Sequence, residues 1–378
     1  MTAAVTVPGE PRPLPSIDVV IPVHTAERPI ARAVRSVLSA HNPKVRALVV
    51  CHNIDAVRIA KNLHGLHDPR LELIEYRDQI PSPAGPLNAG VRAASSDYVT
   101  FLGSDDEFGS GSLDAWSIEL HGQQLHIGQL LADGEGRVFA PAPRIGRFEQ
   151  LNAAKDLLNY RTAPVGALIS RELISRPESP GFTEGFRTGE DITLGAYLWN
   201  RAESITYSRF HDGYRIREDG SDRVSTELPA LAVLTAPIDT LLAQLWITQL
   251  DVRATTALGV KLIRNHLLES CRALAQSGKL SAADLAQANR VLNVLLQFAP
   301  RALGYMPRQD AIPARLLMRG KLADFAQRMA APGQGSLWNR VVPGNPLRVC
   351  SAESIIRRVI RYRSISRSLK PLEKITAS

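Results

Sequence analysis

The run Ile17-Asp18-Val19-Val20-Ile21-Pro22-Val23 is β-branched and apolar at almost every position, the pattern of a strand buried on both faces. From Pro29 to Ser39 the period changes. Ile30, Ala33, Val34, Val37 and Leu38 recur at helical spacing while Arg28, Arg32 and Arg35 take the other face. The alternation repeats, with a strand over Ala47-Leu48-Val49-Val50-Cys51, a helix from Ile54 to Leu63 and a strand over Leu71–Tyr76. A loop rich in Pro and Gly (Pro81, Pro83, Gly85, Pro86) precedes a helical stretch from Asn88 to Ala94 and a fourth strand, Tyr98–Leu102. Weak strand signals fill Gly128 to Gly146, a short strand follows at Ala167–Ser170, and Glu190-Asp191 opens a helix with acid in its first turn. Strands interleaved with helices in this way predict parallel pairing through right-handed crossovers, an α/β, Rossmann-like sheet with helices on both faces. Beyond Thr226 only helical periodicity remains, over Ile238–Leu250, Ala257–Ala275 and Ser281–Phe298, so an all-α segment follows the sheet.

Length and composition agree with this division. The 378 residues exceed one ordinary core, and 44% hydrophobic against 22% charged residues excludes disorder as the main state. The formal charge of +8 is unevenly placed: residues 1–225 carry 24 basic and 28 acidic side chains, leaving 21 and 9 for the rest of the chain. The second half is therefore the part suited to an acidic surface. Cys51, Cys271 and Cys350 are too far apart for a zinc motif and odd in number, which favours a reducing compartment. Residues 1–16 read as a flexible lead-in and not a signal peptide, and no run reaches the roughly 18 uncharged residues of a membrane span. The expected location is the cytoplasm, with any membrane contact peripheral.

Four places carry a resemblance. They are Val19-Val20-Ile21-Pro22-Val23-His24, Gly85-Pro86-Leu87-Asn88-Ala89-Gly90, Phe101-Leu102-Gly103-Ser104-Asp105-Asp106-Glu107 and Thr188-Gly189-Glu190-Asp191. In this order they resemble the entry strand, the asparagine segment, the acidic metal motif and the base motif of inverting family 2 glycosyltransferases with a GT-A fold. The matched span is about residues 17–225. The expected division is thus a lead-in (1–16), a GT-A domain (17–225), a helical domain (226–350) and a basic amphipathic tail (351–378).

The resemblance implies roles. Asp106 would hold Mg²⁺ or Mn²⁺, hard cations suited to oxygen ligands, and the cation would neutralise the departing diphosphate. Asp105 would accept hydrogen bonds from the ribose. Asp191 would be the base that deprotonates the acceptor hydroxyl, and Glu190 would orient it, or the two would exchange roles. Pro22, His24, Gly85 and Asn88 fall where the family contacts the nucleotide sugar. The family's Asp-Asp pair after the second strand is replaced by Val50-Cys51-His52-Asn53-Ile54-Asp55, so His52, Asn53 or Asp55 would read the base. Gly103 also stands where the family often has aspartate. In the stretch from Phe210 to Ser225, His211 is a candidate third metal ligand, and Arg215, Arg217 and Arg223 are candidates for the phosphates.

The implied donor is a nucleotide-diphosphate sugar, UDP-linked first, and the implied acceptor a cell-envelope glycan or lipid-linked saccharide. The segment 354–374 mixes Ile and Arg at helical spacing, the composition of a helix lying on anionic lipid; docking on the protein itself is the alternative. No nucleic-acid motif accompanies the charge, so nucleic acid is not an expected partner. A non-catalytic sugar-nucleotide or glycan-binding subunit is the rival reading of the whole chain.

Overall fold

The computed structural model describes residues 13–134, 136–138, 141–161, 163–217, 228–331 and 336–371. Eleven strands are present among them: β1 (Ile17–Val23), β2 (Val45–His52), β3 (Leu71–Tyr76), β4 (Tyr98–Phe101), β5 (Glu107–Phe108), β6 (Leu125–Ile127), β7 (Gln129–Ala132), β8 (Gly136–Arg137), β9 (Ala167–Ser170), β10 (Ile205–Tyr207) and β11 (Gly213–Ile216). Seven form the main sheet in the order β10-β6-β9-β4-β1-β2-β3. β1 lies between β2 and β4 and is parallel to both, with Ile17, Val19, Val20, Ile21 and Val23 wholly buried. The predicted parallel pairing holds for β1 to β4. It fails at β9, which runs antiparallel to β4 and to β6 and makes the sheet mixed.

One charge sits inside this core. Asp18 on β1 is wholly buried and receives both Nε and Nη2 of Arg46, at 2.8 and 2.9 Å, together with the N–H groups of Ser95 and Ser96. Burial alone would raise the carboxyl, but these donors outweigh it and hold Asp18 below the ordinary carboxylate range. Asp18→Ala is expected to cost about 3–5 kcal/mol, because it leaves a guanidinium and two N–H groups without their acceptor. Urea unfolding of the variant measures this, and a midpoint equal to wild type would refute it.

A smaller sheet, β5-β11-β7-β8, stands beside the carboxyl end of β4. Its β11 returns from far along the chain, antiparallel to β5 with Tyr214 opposite Phe108 and Arg215 opposite Glu107.

Three helical expectations shift. The helix after β3 begins at Ala84 and includes Gly85 and Pro86, which the sequence assigns to a loop; proline is tolerated in a first turn, where the missing N–H has no partner to lose. Ile238–Leu250 divides into a helix over Leu231–Leu242 and a 3₁₀ turn over Leu245–Gln249, because Asp251 caps a new helix by accepting from Arg253 N and Ala254 N, both at 2.8 Å. That next helix runs from Val252 to Gln276 and widens to π geometry over Leu262–Leu268. Ser281 caps the helix Ala282–Phe298, close to the predicted span.

The boundary expected at 225/226 falls among undescribed residues. On either side of it the chain shares one apolar core, which runs from Val20, Leu48 and Phe101 through Leu258, Leu292 and Leu317 to Ile365. The tail is a helix, Ile355–Ser368, docked on the sheet domain. Arg361 donates to Ala142 O and Lys155 O, Tyr362 to Arg137 O, and Arg358 lies 4.3 Å over the Tyr160 ring. Its inward face is thus basic, the alternative to a free lipid-lying helix. Ile356, Arg357, Ile360, Arg363 and Arg367 remain on the outside, and residues 372–374 of the expected membrane segment lie outside the described residues.

Candidate functional site

Ligands of open α/β sheets gather beyond the carboxyl ends of the strands, and the predicted residues leave the sheet there. β4 delivers Gly103-Ser104-Asp105-Asp106. Asp106 is clamped by the smaller sheet: its Oδ2 accepts from the Tyr214 hydroxyl and its Oδ1 from Arg217 N at 2.9 Å. The same hydroxyl accepts from Gly103 N at 3.0 Å, so Tyr214 holds the loop and the carboxylate together. Burial raises the Asp106 carboxyl above its ordinary value, with the Tyr214 and Arg217 hydrogen bonds acting against it. Asp105 accepts from Arg28, just before the helix Ile30–Leu38, and its carbonyl accepts from Arg32 in that helix's first turn. Tyr214, Arg28 and Arg32 are thus neighbours of the acidic motif that motif reading did not place there. Tyr214 stood in the stretch singled out after the base helix, but only the β5–β11 pairing brings it to Asp106.

Gly103 has a steric role. A Cβ at that position would lie 2.6 Å from Asp106 Oδ2 and 3.1 Å from Asp105 Oδ1. The two carboxylates converge on the space that a side chain would fill. Such a cradle, with one or two carboxylates and room for substrate phosphates, fits the way Mg²⁺ is commonly held. His211 does not join it. It precedes β11, at the end of that strand away from the Arg217–Asp106 contact, where its N–H donates to Lys370 O and its ring meets Arg137 Nη2 at 3.3 Å. Among the described residues no three His, Cys, Asp or Glu side chains form a metal-holding group. The ligand role expected for His211 is therefore corrected by strand register.

The expected phosphate arginines are committed elsewhere. Arg215 makes a two-pronged contact with Asp212 at 2.6 and 3.0 Å, and Arg217 binds Glu107 at 2.5 Å and Asp133 at 2.9 Å. Arg223 lies outside the described residues.

A second cluster forms where β1, β2 and β3 end. Val23 is level with Cys51 on β2, so the exposed His24 and the buried His52 leave the sheet side by side, just past the half-buried Pro22. His52 Nε2 lies 2.7 Å from Asp78 Oδ1, and Asn53 accepts from Asp78 N and Gln79 N, each at 3.2 Å, from a left-handed backbone with φ 57°. Burial would raise Asp78, but His52, Ile80 N and Asn53 prevail and keep it below the usual range. Asp78 thus supplies a carboxylate at the place where the family's pair is missing. Nothing in Arg77-Asp78-Gln79 marks it, and only the β2–β3 register brings it there. Gly85 closes against this cluster, since a Cβ there would lie 2.7 Å from the Tyr76 ring and against Asp78. Asp55 points away, largely exposed and paired with Arg77. Asn88 is also spent: it donates to Phe182 O at 2.9 Å and accepts from Phe182 N at 2.9 Å, fastening the loop that leads to Glu190.

That loop rests on the strand ends as well. Phe182 meets Phe101 of β4 edge to face at 4.8 Å, Ser82 donates to Phe186 O at 2.6 Å, and Thr183 N donates to Glu190 O at 2.9 Å. Asp191 takes the N-cap place of the helix Ile192–Arg201, yet its side chain accepts no N–H from the first turn. Capping therefore does not account for it. Gly189 is left-handed (φ 81°), and a Cβ there would approach Pro237 to 2.9 Å, so glycine lets the base turn press against the helical segment. Burial first, then the neighbouring Asp191, pushes Glu190 up to about 7. Burial also raises Asp191, against the pull of Lys261, whose own amine burial brings down to about 8. Lys261 comes from the helical segment, at the point where its helix widens to π geometry.

A mixed sheet with converging carboxylates beyond β4 and a carboxylate pair at the start of the helix Ile192–Arg201 fits a glycosyltransferase of the GT-A class. The family model "Glycosyl transferase family 2" matches residues 18–115. Staphylococcus aureus TarS 1–349, solved with UDP-GlcNAc, superposes with a TM-score of 0.65 at 16% identity, over 83% of this chain and 90% of that one. By sequence the chain is 25% identical over 216 residues to a poly(ribitol-phosphate) beta-glucosyltransferase of Bacillus spizizenii, covering 54% of this chain. It is 26% identical over 211 residues to the GalNAc(5)-diNAcBac-PP-undecaprenol beta-1,3-glucosyltransferase of Campylobacter jejuni, again over 54% of this chain. The matches span 33% of the Bacillus relative's length and 67% of the Campylobacter one's. Residues 18–115 thus match a family 2 glycosyltransferase domain, and the chain has the GT-A fold of the structure it superposes on.

Proposed function

We propose that this protein is an inverting glycosyltransferase that moves a sugar from a nucleotide-diphosphate sugar, a UDP-sugar, to a hydroxyl of a phosphate-bearing cell-envelope polysaccharide or lipid-linked saccharide. The carrying observation is the half-buried Glu190–Asp191 pair, with Asp191 free of a capping role and both carboxyls raised, Glu190 to about 7, beside Lys261. Inversion needs a carboxylate that takes the acceptor's proton as its oxygen bonds to the anomeric carbon and the bond to the diphosphate breaks on the opposite face. Asp191 takes that proton; Glu190 orients the acceptor or the base. Asp106, with Asp105 beside it, would hold Mg²⁺ or Mn²⁺, which would neutralise charge growing on the leaving diphosphate. His52, Asn53 and Asp78 would meet the nucleoside at the ends of β2 and β3. The uridine carrier is supported by the TarS structures with UDP-GlcNAc and UDP, and the acceptor class by the two relatives' names. No described helix is long and apolar enough to cross a membrane; the outer Ile356–Ile360 face with Arg357 and Arg363 supports contact with an anionic surface.

A panel of UDP-, GDP- and dTDP-sugars incubated with Mn²⁺ tests the reading. Release of one nucleoside diphosphate by wild type and none by Asp191→Asn is expected. Donor binding without any release would establish the non-catalytic binding subunit instead.

The pH profile offers a further check. Burial raises Asp191, so the acid limb of kcat/KM, which reports the base, is expected above the ordinary carboxylate range. Lys261→Met is expected to move it upward, because a cation that favours the Asp191 anion is removed. A limb that stays in place in Lys261→Met would exclude Asp191 as the group it reports.

A further inference from the structure

Where the loop 142–156 meets the helical segment there is a cavity of about 560 Å³. Six cations line it, Arg144, Lys155, Arg253, Arg301, Arg348 and Arg361, against one carboxylate, Glu353. Arg144 is neutralised by the wholly buried Asp156 through two contacts of 2.8 Å. The other five have no ion pair among the described residues. Two of them are fixed by direct contacts to uncharged groups: Arg361, nine-tenths buried, by the carbonyls of Ala142 and Lys155, and Arg348 by the Tyr305 ring at 4.9 Å. A fold that orients cations with carbonyls and a ring keeps their charge available. Burial pushes the one carboxylate, Glu353, up to about 7, against a hydrogen bond from Tyr160 and the charges of Arg358 and Arg361 that favour its anion.

The cavity lies along the helix that also reaches the base. Val252, Arg253 and Thr256 line it, and Lys261 faces Asp191 one and a half turns further on, about 7–8 Å along the axis from Thr256 at 1.5 Å per residue. It is bordered by none of the strand ends that gather the proposed donor residues.

We propose that this cavity is an acceptor subsite that binds the phosphate esters of the acceptor while its hydroxyl is presented to Asp191. Guanidinium forks match phosphate oxygens two at a time, and a set of cations on both walls suits a chain with more than one phosphate. The proposal rests on the transferase reading but is tested without turnover. Two sources share the chemistry, a soluble polyol-phosphate chain and a lipid-linked diphosphate. Full-length protein is titrated calorimetrically with a synthetic glycerol-phosphate tetramer, and by flotation with phosphatidylcholine vesicles carrying polyprenyl diphosphate or phosphatidylglycerol. Wild type is expected to bind the tetramer, the polyprenyl diphosphate or both, more weakly as salt rises, and to prefer its phosphate probe to phosphatidylglycerol. The double variant Arg253→Glu and Arg301→Glu changes two exposed side chains and is expected to lose about tenfold or more in affinity for that probe. Its UDP binding and circular dichroism are expected to match wild type. Which probe responds names the source. Binding of neither probe by wild type, equal binding by the double variant, or equal binding of phosphatidylglycerol vesicles would overturn the proposal. Loss of nucleotide-sugar turnover with intact, variant-sensitive tetramer or polyprenyl diphosphate binding would overturn the transferase reading alone.

Discussion

Asp191→Asn is expected to lower the transfer rate by about 10³–10⁴ while leaving the affinity for the sugar nucleotide within a few fold of wild type. The amide keeps the shape and polarity of the carboxylate but cannot accept the acceptor's proton at neutral pH. Because the wild-type carboxylate caps no helix N–H, the change also removes no structural hydrogen bond, so the helix Ile192–Arg201 should keep its start. Single-turnover transfer and calorimetric donor binding separate the two effects. Full turnover by the variant would remove Asp191 from the base position and hand that role to Glu190, which is raised by the same burial.

The second large effect is expected at Asp106. Asp106→Asn keeps one acceptor, which Arg217 N can still use, and its amide N–H can donate to the Tyr214 oxygen in place of accepting from it, so the clamp from the smaller sheet persists. What it removes is the negative charge converging with Asp105 on the space beside Gly103. The expected results are a loss of kcat of about 10²–10³ and a donor affinity that no longer responds to Mn²⁺ or to EDTA. An unchanged response to the cation would place the metal away from this cradle. Gly103→Asp is a harsher change in the same space, since its Cβ alone would press on both carboxylates.

Much of the site was legible along the chain because its residues sit where strands end, and strand ends are marked by a change of period. Asp105 and Asp106 follow a buried apolar run, and Glu190-Asp191 open a helix with acid at its start. The partners of these residues carried no such mark. Tyr214 comes from 108 positions further on, and Asp78 sits in an ordinary polar turn. Residues that looked free in sequence proved committed: Asn88 to the loop at Phe182, Arg215 to Asp212, and Arg217 to Glu107 and Asp133. An arginine near an acidic run reads the same whether it awaits a phosphate or already holds a carboxylate.

Hydrophobic periodicity alone determined the α/β order of β1 to β4, the helices between them and the change to an all-helical region, because period depends on local backbone geometry. The tertiary structure decided what touches what. It reversed β9, joined the helical region to the sheet in one core, and turned Arg358 and Arg361 of the last helix inward. It also brought Lys261 to the base pair and gathered six cations around one cavity. Pairing direction, register and the face a basic helix presents are set by contacts between distant segments, and no local pattern encodes them.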